Sequence, residues 1–141
     1  MNAFDPRLQP PKMLFIETTS ECNLRCKHCH MWMNRDGDGR LSTREKETLV
    51  AEFHRMNPKG LVVVTGGEPM SREEEFFSIT AACRSLGLTS ATNTNGTFIN
   101  ESNARRTLLE GATCLSVSLD GPIAGIHDYV RGTRGCFDRV T

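Results

Sequence analysis

The sequence predicts an α/β fold of parallel strand–helix units. Short apolar runs alternate with segments of helical periodicity, turn residues separate them, and the glycine-rich polar stretches directly follow the apolar runs. Strands that alternate with helices of about 10 to 15 residues pair in parallel through right-handed crossovers. The prediction is therefore a doubly wound sheet or a barrel of the TIM type. The 141 residues have the size of one globular domain.

The N-terminal part of the chain is predicted as a lead-in, a strand and a helix. Residues 1–12 contain three prolines and form the lead-in. A buried strand follows over residues 13–18, where a short apolar run ends in polar residues. A capping box, in which Ser42 and Glu45 satisfy free backbone donors, begins the first helix. The apolar face of that helix consists of Leu49, Val50, Phe53 and Met56.

The strand–helix pattern then repeats. A second capping box, Ser71 with Glu74, is predicted to begin the next helix. A short helix is expected from about Glu101 to Glu110, and a further helix after Phe137. The remaining strands are predicted over residues 61–65, 88–94 and 113–119.

The unusual stretches of the chain follow the predicted strands. Cysteines at 22–29 follow the first strand, Gly-Gly-Glu at 66–68 the second, Asn-Gly at 95–96 the third and Asp-Gly-Pro at 120–122 the fourth. Parallel α/β folds bind their ligands at the carboxyl ends of the strands. The four placements therefore predict one active site on a single rim.

Three closely spaced thiols, Cys22, Cys26 and Cys29, indicate a metal site. Thiolate sulfur is a soft ligand that selects zinc, copper(I) or iron–sulfur clusters. A four-iron cluster normally takes one cysteine per iron, so three cysteines leave one iron open to another ligand. The alternative is a structural zinc site completed by His28 or His30.

Composition and charge do not favour several other classes of function. Seventeen basic residues balance seventeen acidic ones without a basic run, so nucleic-acid binding is not indicated. No apolar run approaches the ~20 residues of a membrane helix, and the N-terminus does not look secretory. We therefore expect a cytoplasmic protein with reduced thiols, in which a disulfide framework is disfavoured. Cys83, Cys114 and Cys136 share no ligand spacing and are predicted as ordinary buried or partly buried thiols.

With Cys-x3-Cys-x2-Cys after the first strand and Gly-Gly-Glu-Pro after the second, the chain resembles the radical S-adenosylmethionine (SAM) enzymes. Residues 94–96, 118–122 and 127–137 strengthen the resemblance. They point to the subgroup that often carries a C-terminal SPASM or twitch extension and modifies peptides or builds cofactors. The resemblance covers about residues 13–141 and implies a core domain truncated at its C-terminal side, a partial TIM-type barrel with about four of six expected units.

The resemblance also implies a set of ligands. Cys22, Cys26 and Cys29 would bind three irons of a 4Fe-4S cluster, whose fourth iron would chelate SAM. The methionine amino group would be held by Gly66, Gly67 and Glu68. The other implied SAM contacts are His28 at the adenine, Arg131 at the methionine carboxylate, and Asn95, Ser118 and Asp120 at the ribose or methionine.

The chemistry that the resemblance implies is reductive cleavage of SAM to a 5′-deoxyadenosyl radical, which abstracts hydrogen from a substrate. The implied partners are a reductant protein such as a flavodoxin or ferredoxin, and a peptide or small-molecule substrate. The alternative from another class is a non-catalytic module with a structural zinc or iron–sulfur site.

Residues 34–45 carry a second motif. They match the calcium-binding EF-hand loop at several ligand positions, with Glu45 last, although Asn34 stands where Asp is usual. A glycine-rich turn followed by the capping box of the first helix explains the same residues. We therefore keep calcium binding as the less favoured of two interpretations.

Overall fold

One parallel sheet organises the chain. The computed structural model describes residues 9–141 except Asp36 and Asp38, so most of the predicted lead-in and two residues of the calcium-loop motif lie outside the described part. The sheet has the order β1-β2-β3-β4. Its strands are β1 (Met13–Glu17), β2 (Leu61–Thr65), β3 (Thr89–Thr94) and β4 (Cys114–Val117).

The strands pair in parallel throughout, which confirms the predicted α/β class. Met13 pairs with Leu61, Leu61 with Thr89, and Ala91 with Cys114. Because the four strands run in one direction, their carboxyl ends meet at one edge of the sheet. The segments that follow the strands are therefore neighbours in space although they are far apart in sequence.

The first three helices lie where the sequence predicts them, but only one of the two predicted capping boxes is present. They are α1 (Thr43–Met56), α2 (Glu73–Ser85) and α3 (Glu101–Glu110). The capping box of Ser42 and Glu45 is present at α1, whereas the one predicted at α2 is wrong. Ser71 ends a short 3-10 turn instead, and its hydroxyl donates to the carbonyl of Glu68 at 2.8 Å.

Two short helices end the chain. The helix expected after Phe137 is α5 (Cys136–Val140), and a helix that was not predicted, α4 (Ala124–Arg131), precedes it. Gly132 and Gly135 adopt φ of 64° and 74° between them. Glycine tolerates this left-handed backbone without steric cost, so the chain can turn sharply from α4 into α5.

The hydrophobic core lies between the sheet and helices α1 and α2. Val62 and Val64 of β2 are fully buried against Val50 of α1 and Phe76 of α2. Cys83 also belongs to this core, as predicted, and burial raises the pKa of its thiol to about 11. Among the residues that the structure describes, no helix has the length and apolarity that crossing a membrane requires.

Strand β4 is largely exposed. Val117 at its end and Leu119 just beyond it are exposed. Cys114 is exposed too, so its prediction as a buried or partly buried thiol is wrong. β4 is the last strand of the described sheet, and it pairs only with β3.

Candidate functional site

A cleft of about 620 Å³ lies at the carboxyl edge of the sheet. It is lined by residues that follow each of the four strands. All the residues singled out from the sequence as cluster or SAM ligands line it. They are Cys22, Cys26, His28, Cys29, Gly66, Gly67, Glu68, Asn95, Ser118, Asp120 and Arg131. The prediction that these stretches meet on one rim is confirmed.

The loop of residues 22–29, which we call the cysteine loop, covers one side of the cleft. Cys26 is buried and Cys22 and Cys29 are half-buried. Leu24 and Cys136 are buried beside Cys26 and form a small apolar cluster with the other two thiols. Cys136 is a buried thiol, as predicted, but its packing against the cysteine loop was not predicted.

Gly66 and Gly67 bring the end of β2 against the backbone that leads into the cysteine loop. A Cβ at Gly66 would lie 2.2 Å from the Thr19 carbonyl oxygen, and one at Gly67 would lie 2.1 Å from that of Glu21. The N–H of Gly67 donates to Thr19 O at 2.8 Å. Gly66 also has φ of 140°, which side chains rarely allow. The glycine pair therefore positions the cysteine loop.

Glu68 joins the ends of β2 and β3 through its carboxylate. It is 1% exposed and accepts hydrogen bonds from the N–H of Met70, the hydroxyl of Thr94 and the N–H of Asn95 at 3.0, 2.6 and 2.8 Å. Burial raises the pKa of Glu68, and these hydrogen bonds oppose the rise. Since a carboxylate offers about four acceptor sites, it retains capacity for a further donor in the cleft.

The Asn95 side chain bonds to the cysteine loop. Its amide nitrogen donates to Asn23 Oδ1 at 3.0 Å and to Cys22 Sγ at 3.9 Å. Its Oδ1 accepts from the N–H and hydroxyl of Thr97 at 3.0 and 2.7 Å. Asn95 therefore links β3 to the loop that carries the thiols.

Arg131 reaches the opposite side of the cleft from α4. Its Nη1 donates to Cys26 Sγ at 3.7 Å, and its Nε lies 2.6 Å from Asp120 Oδ2. The backbone N–H of Asp120 donates to Nδ1 of His127 at 3.1 Å. His127 is fully buried, and its ring packs edge-on against Phe137 with centroids 5.9 Å apart. The hydrogen bond from Asp120 to His127 was not predicted from the sequence.

The remaining predicted contacts lie at the mouth of the cleft. Ser118 is half-buried, with its hydroxyl 3.5 Å from Asn93 Oδ1, and His28 is exposed. Asn93 and Thr94 also line the cleft, although neither was assigned a specific ligand role from the sequence. Their position at the end of β3, beside Asn95, is the signal that could have found them.

The surroundings of the Cys22 thiol affect its pKa. Burial raises the pKa of the Cys22 thiol, and the nearby Glu68 and the other two thiols add to the rise. A metal must therefore displace this proton when it binds. The amide nitrogen of Asn95 donates to the sulfur of Cys22 at 3.9 Å, and the guanidinium of Arg131 donates to that of Cys26 at 3.7 Å.

The donor set of the cleft includes the three thiols of the cysteine loop. No three His, Cys, Asp or Glu side chains of the described residues are grouped closely enough to hold one metal ion. A structural zinc site needs four ligands within about 2.3 Å of one point. In a four-iron cluster each thiolate binds a different iron, so the thiolates stay apart. Three thiols on one cleft are therefore a donor set of the kind that such a cluster takes.

Comparison of the chain with known proteins gives one consistent family. Residues 16–141 match the family model described as the radical SAM superfamily. The chain is 35% identical over 130 residues to the AdoMet-dependent heme synthase of Oleidesulfovibrio alaskensis, covering 91% of this chain and 33% of that protein. It is 33% identical over 135 residues to the mycofactocin maturase MftC of Mycobacterium tuberculosis, covering 96% and 34%.

Solved structures share the fold. The crystal structure of Streptococcus suis SuiB bound to the precursor peptide SuiA superposes with a TM-score of 0.76 at 22% identity, covering 94% of this chain and 29% of that chain. Native anSMEcpe with bound AdoMet and Cp18Cys peptide gives 0.73 at 28% identity, covering 93% and 38%. These likenesses confirm the predicted partial TIM-type barrel. The chain spans about a third of the length of the relatives that it matches.

Proposed function

Because the chain belongs to the radical SAM superfamily, we propose that it is the cluster- and SAM-binding part of an enzyme that cleaves SAM reductively. One observation carries this proposal: three thiols, a buried carboxylate and a buried guanidinium line a single cleft at the carboxyl edge of the sheet. We take residues 13–141 as the N-terminal portion of the core domain, in agreement with the range of the family match.

Cys22, Cys26 and Cys29 would hold a 4Fe-4S cluster and leave one iron open to SAM. When bound, the cluster supplies the electron that cleaves SAM to methionine and a 5′-deoxyadenosyl radical. The protein holds the reacting groups in place and keeps water out. Asn95 and Arg131 donate to ligand sulfurs, so they orient the cysteine loop for this purpose.

The SAM contacts follow from the groups that face the cleft. Glu68 retains acceptor capacity for the methionine ammonium, while Gly66 and Gly67 keep the floor of the cleft free of side chains. Arg131 suits the methionine carboxylate, because a guanidinium binds carboxylates in a fixed fork. The polar groups left for the ribose, methionine and adenine are Asn95, Ser118, Asp120 and His28.

We place the reaction in peptide modification or cofactor maturation. The relatives include a mycofactocin maturase and a heme synthase, and one structural neighbour is bound to a precursor peptide. A peptide or small-molecule substrate and a reductant protein such as a flavodoxin or ferredoxin are the partners. Reduced thiols at the cluster site suit the cytoplasm.

Anaerobic reconstitution with iron and sulfide tests the proposal. We expect a brown protein with the spectrum of a 4Fe-4S cluster that releases 5′-deoxyadenosine from SAM after reduction with dithionite. Cys22→Ser, Cys26→Ser and Cys29→Ser should each lose iron, whereas Cys114→Ser, an exposed thiol outside the cleft, should retain it. A colourless protein that binds zinc through the same cysteines would establish the non-catalytic module instead.

A further inference from the structure

The cysteine loop has a second face, turned toward α4 and α5. The backbone N–H of Lys27 donates to the carbonyl of Val130 at 2.9 Å. Gly132 lies so close to the Arg25 backbone that an added Cβ would be 2.2 Å from its carbonyl oxygen. The loop therefore lies between the cleft on one side and the α4–α5 surface on the other.

Two adjoining cavities mark this second face. The larger, of about 670 Å³, is lined by residues that include Lys27, Tyr129 and Arg134. The smaller, of about 130 Å³, is lined by residues that include Arg134, Arg139 and Cys136. Arg134 belongs to both cavities, so the surface is continuous. We call Lys27, Tyr129, Arg134 and Arg139 the basic face.

The basic face carries an excess of positive charge on a chain whose formal net charge is zero. Lys27, Arg134 and Arg139 are all exposed, and the Lys27 ammonium lies 3.2 Å from the centroid of the exposed Tyr129 ring. Of the described residues that line the two cavities, only Asp128 is acidic. Its carboxylate accepts from the N–H groups of Gly135 and Phe137, so it serves the turn into α5.

The basic face is close to the thiols of the cleft. Lys27 is the residue after Cys26. Cys136, which lines the smaller cavity, is 1% exposed and belongs to the same buried cluster as Cys26. The sulfur of Cys26 is therefore separated from the basic face by the buried Cys136 and Leu24. The basic face is therefore connected to the Cys26 thiol through this buried cluster and not through the cleft.

We propose that the basic face is the docking surface for an acidic one-electron donor protein of the flavodoxin or ferredoxin class. This inference rests on the proposed function, because reductive cleavage of SAM consumes one electron while SAM and substrate fill the cleft. In the transfer step the donor is oxidised by one electron and the cluster is reduced by one, and no bond forms or breaks. Opposite charges speed such encounters, and electron-transfer partners use small, weak interfaces.

Charge reversal on the reconstituted protein tests the docking surface. Arg134→Glu with Arg139→Glu changes two exposed residues outside the cysteine loop and the cleft. Calorimetry with oxidised flavodoxin at low ionic strength should show binding at least about tenfold weaker than for the parent. The matched control, Lys59→Glu with Arg105→Glu, reverses two exposed cations elsewhere and should bind like the parent. Added salt should weaken the parent complex and the control complex more than the variant complex.

Rates of SAM cleavage give the second readout. With reduced flavodoxin, 5′-deoxyadenosine formation by the Arg134→Glu, Arg139→Glu variant should fall about tenfold, whereas the rate with dithionite should equal that of the parent. Parent-like flavodoxin binding by the variant overturns the inference, whatever the rates. If such a variant also has a raised KM for an acidic peptide substrate, the basic face binds the substrate instead of the donor. If the parent itself fails with dithionite, the proposed function is wrong, and the calorimetry still decides whether the face binds the donor.

Discussion

Arg131 donates a hydrogen bond from Nη1 to the Sγ of Cys26 across 3.7 Å. Arg131 is 8% exposed, and its Nε lies 2.6 Å from Asp120 Oδ2. A buried cation beside a sulfur ligand stabilises negative charge on that ligand far more than an exposed cation would. Hydrogen bonds to the cysteine sulfurs and the local net charge are among the features that set the potential of an iron–sulfur cluster.

Arg131→Met should therefore lower the reduction potential of the reconstituted cluster, because reduction adds negative charge that the guanidinium no longer offsets. A redox titration followed by electron paramagnetic resonance measures this potential. Arg134→Met is the matched control, since it removes an exposed arginine outside the cleft and should leave the potential unchanged. Equal potentials in Arg131→Met and the parent, at equal iron content, would contradict this role.

Glu68→Gln should lower the free energy of unfolding by roughly 1–3 kcal/mol, as expected when a buried hydrogen-bond donor loses its acceptor. All three donors to the Glu68 carboxylate are backbone N–H or hydroxyl groups, and an amide NH₂ cannot accept from them. Urea unfolding measures the change. Glu52→Gln, on the exposed face of α1, should stay within about 0.5 kcal/mol of the parent. A parent-like midpoint for Glu68→Gln would show that the carboxylate does not hold β2 and β3 together.

Features that depend on a few adjacent residues were predictable from the sequence. The bounds of β2, residues 61–65, and the capping box of Ser42 and Glu45 agree with prediction. A buried strand between turn residues and a cap of this kind are both determined locally. The meeting of the strand-end motifs was predictable too, because parallel strands align their carboxyl ends.

Features that depend on tertiary contacts were not predictable. Lys46 lies on the buried side of α1, where its ammonium pairs with Glu75 and donates to the Thr18 carbonyl at 3.2 Å. Leu49 and Met56, predicted for the apolar face, are instead exposed. Nothing in the helical periodicity distinguishes these cases, since the buried ion pair needs a partner from α2.

Helix α4 and the contacts of the cleft depend on the same kind of long-range pairing. The helix is short and has no side-chain cap, so the usual signal for its start is missing. Arg131 at its end meets Cys26, 105 positions earlier in the chain. The family resemblance implies a ligand role for each residue, but only the fold shows that they are hydrogen-bonded to each other.

Acid should destabilise the turn between α4 and α5 through Asp128. Hydrogen bonds from the N–H groups of Phe137 and Gly135 hold the pKa of Asp128 below its ordinary value of 3.8. The unfolded chain then binds more protons than the folded one, so this stability is present above pH 3.8 and is lost as the pH falls below it. Asp128→Asn should be less stable than the parent at neutral pH, and the difference should shrink in acid, as measured by urea unfolding at several pH values.

The matched control for this titration is Asp138→Asn, which removes an exposed carboxylate from α5. Its stability difference from the parent should change less between neutral and acid pH than that of Asp128→Asn. A difference for Asp128→Asn that stays constant over the whole pH range would contradict the assigned hydrogen bonds.

We expect that Glu45→Gln does not change the result of a calcium titration relative to the parent. The Glu45 carboxylate accepts hydrogen bonds at 2.7 Å from both the N–H and the hydroxyl of Ser42, which commits it to the cap of α1. Glutamine can serve in the same capping box, so the variant should fold normally. Asp36 and Asp38 of the motif lie outside the described residues. Calcium titration by calorimetry decides: binding by the parent that Glu45→Gln abolishes would restore the EF-hand interpretation.

Gly67→Ala should displace the cysteine loop, whereas Gly125→Ala should not. The alanine Cβ at position 67 would lie 2.1 Å from Glu21 O, a backbone atom that cannot rotate away, while nothing lies within 4 Å of a Cβ at Gly125. We expect a loss of about 3 kcal/mol or more for Gly67→Ala, and no loss or a gain of up to about 1 kcal/mol for Gly125→Ala in α4.

Iron content separates a general loss of stability from a displaced loop. After reconstitution under conditions where both variants are folded, Gly67→Ala should hold less iron than the parent, and Gly125→Ala should hold as much. Because Gly67 contacts the backbone at Glu21, one residue before Cys22, displacement there moves the first thiol away from the other two. A folded Gly67→Ala protein with a full complement of iron would mean that the glycine pair is not what positions the thiols.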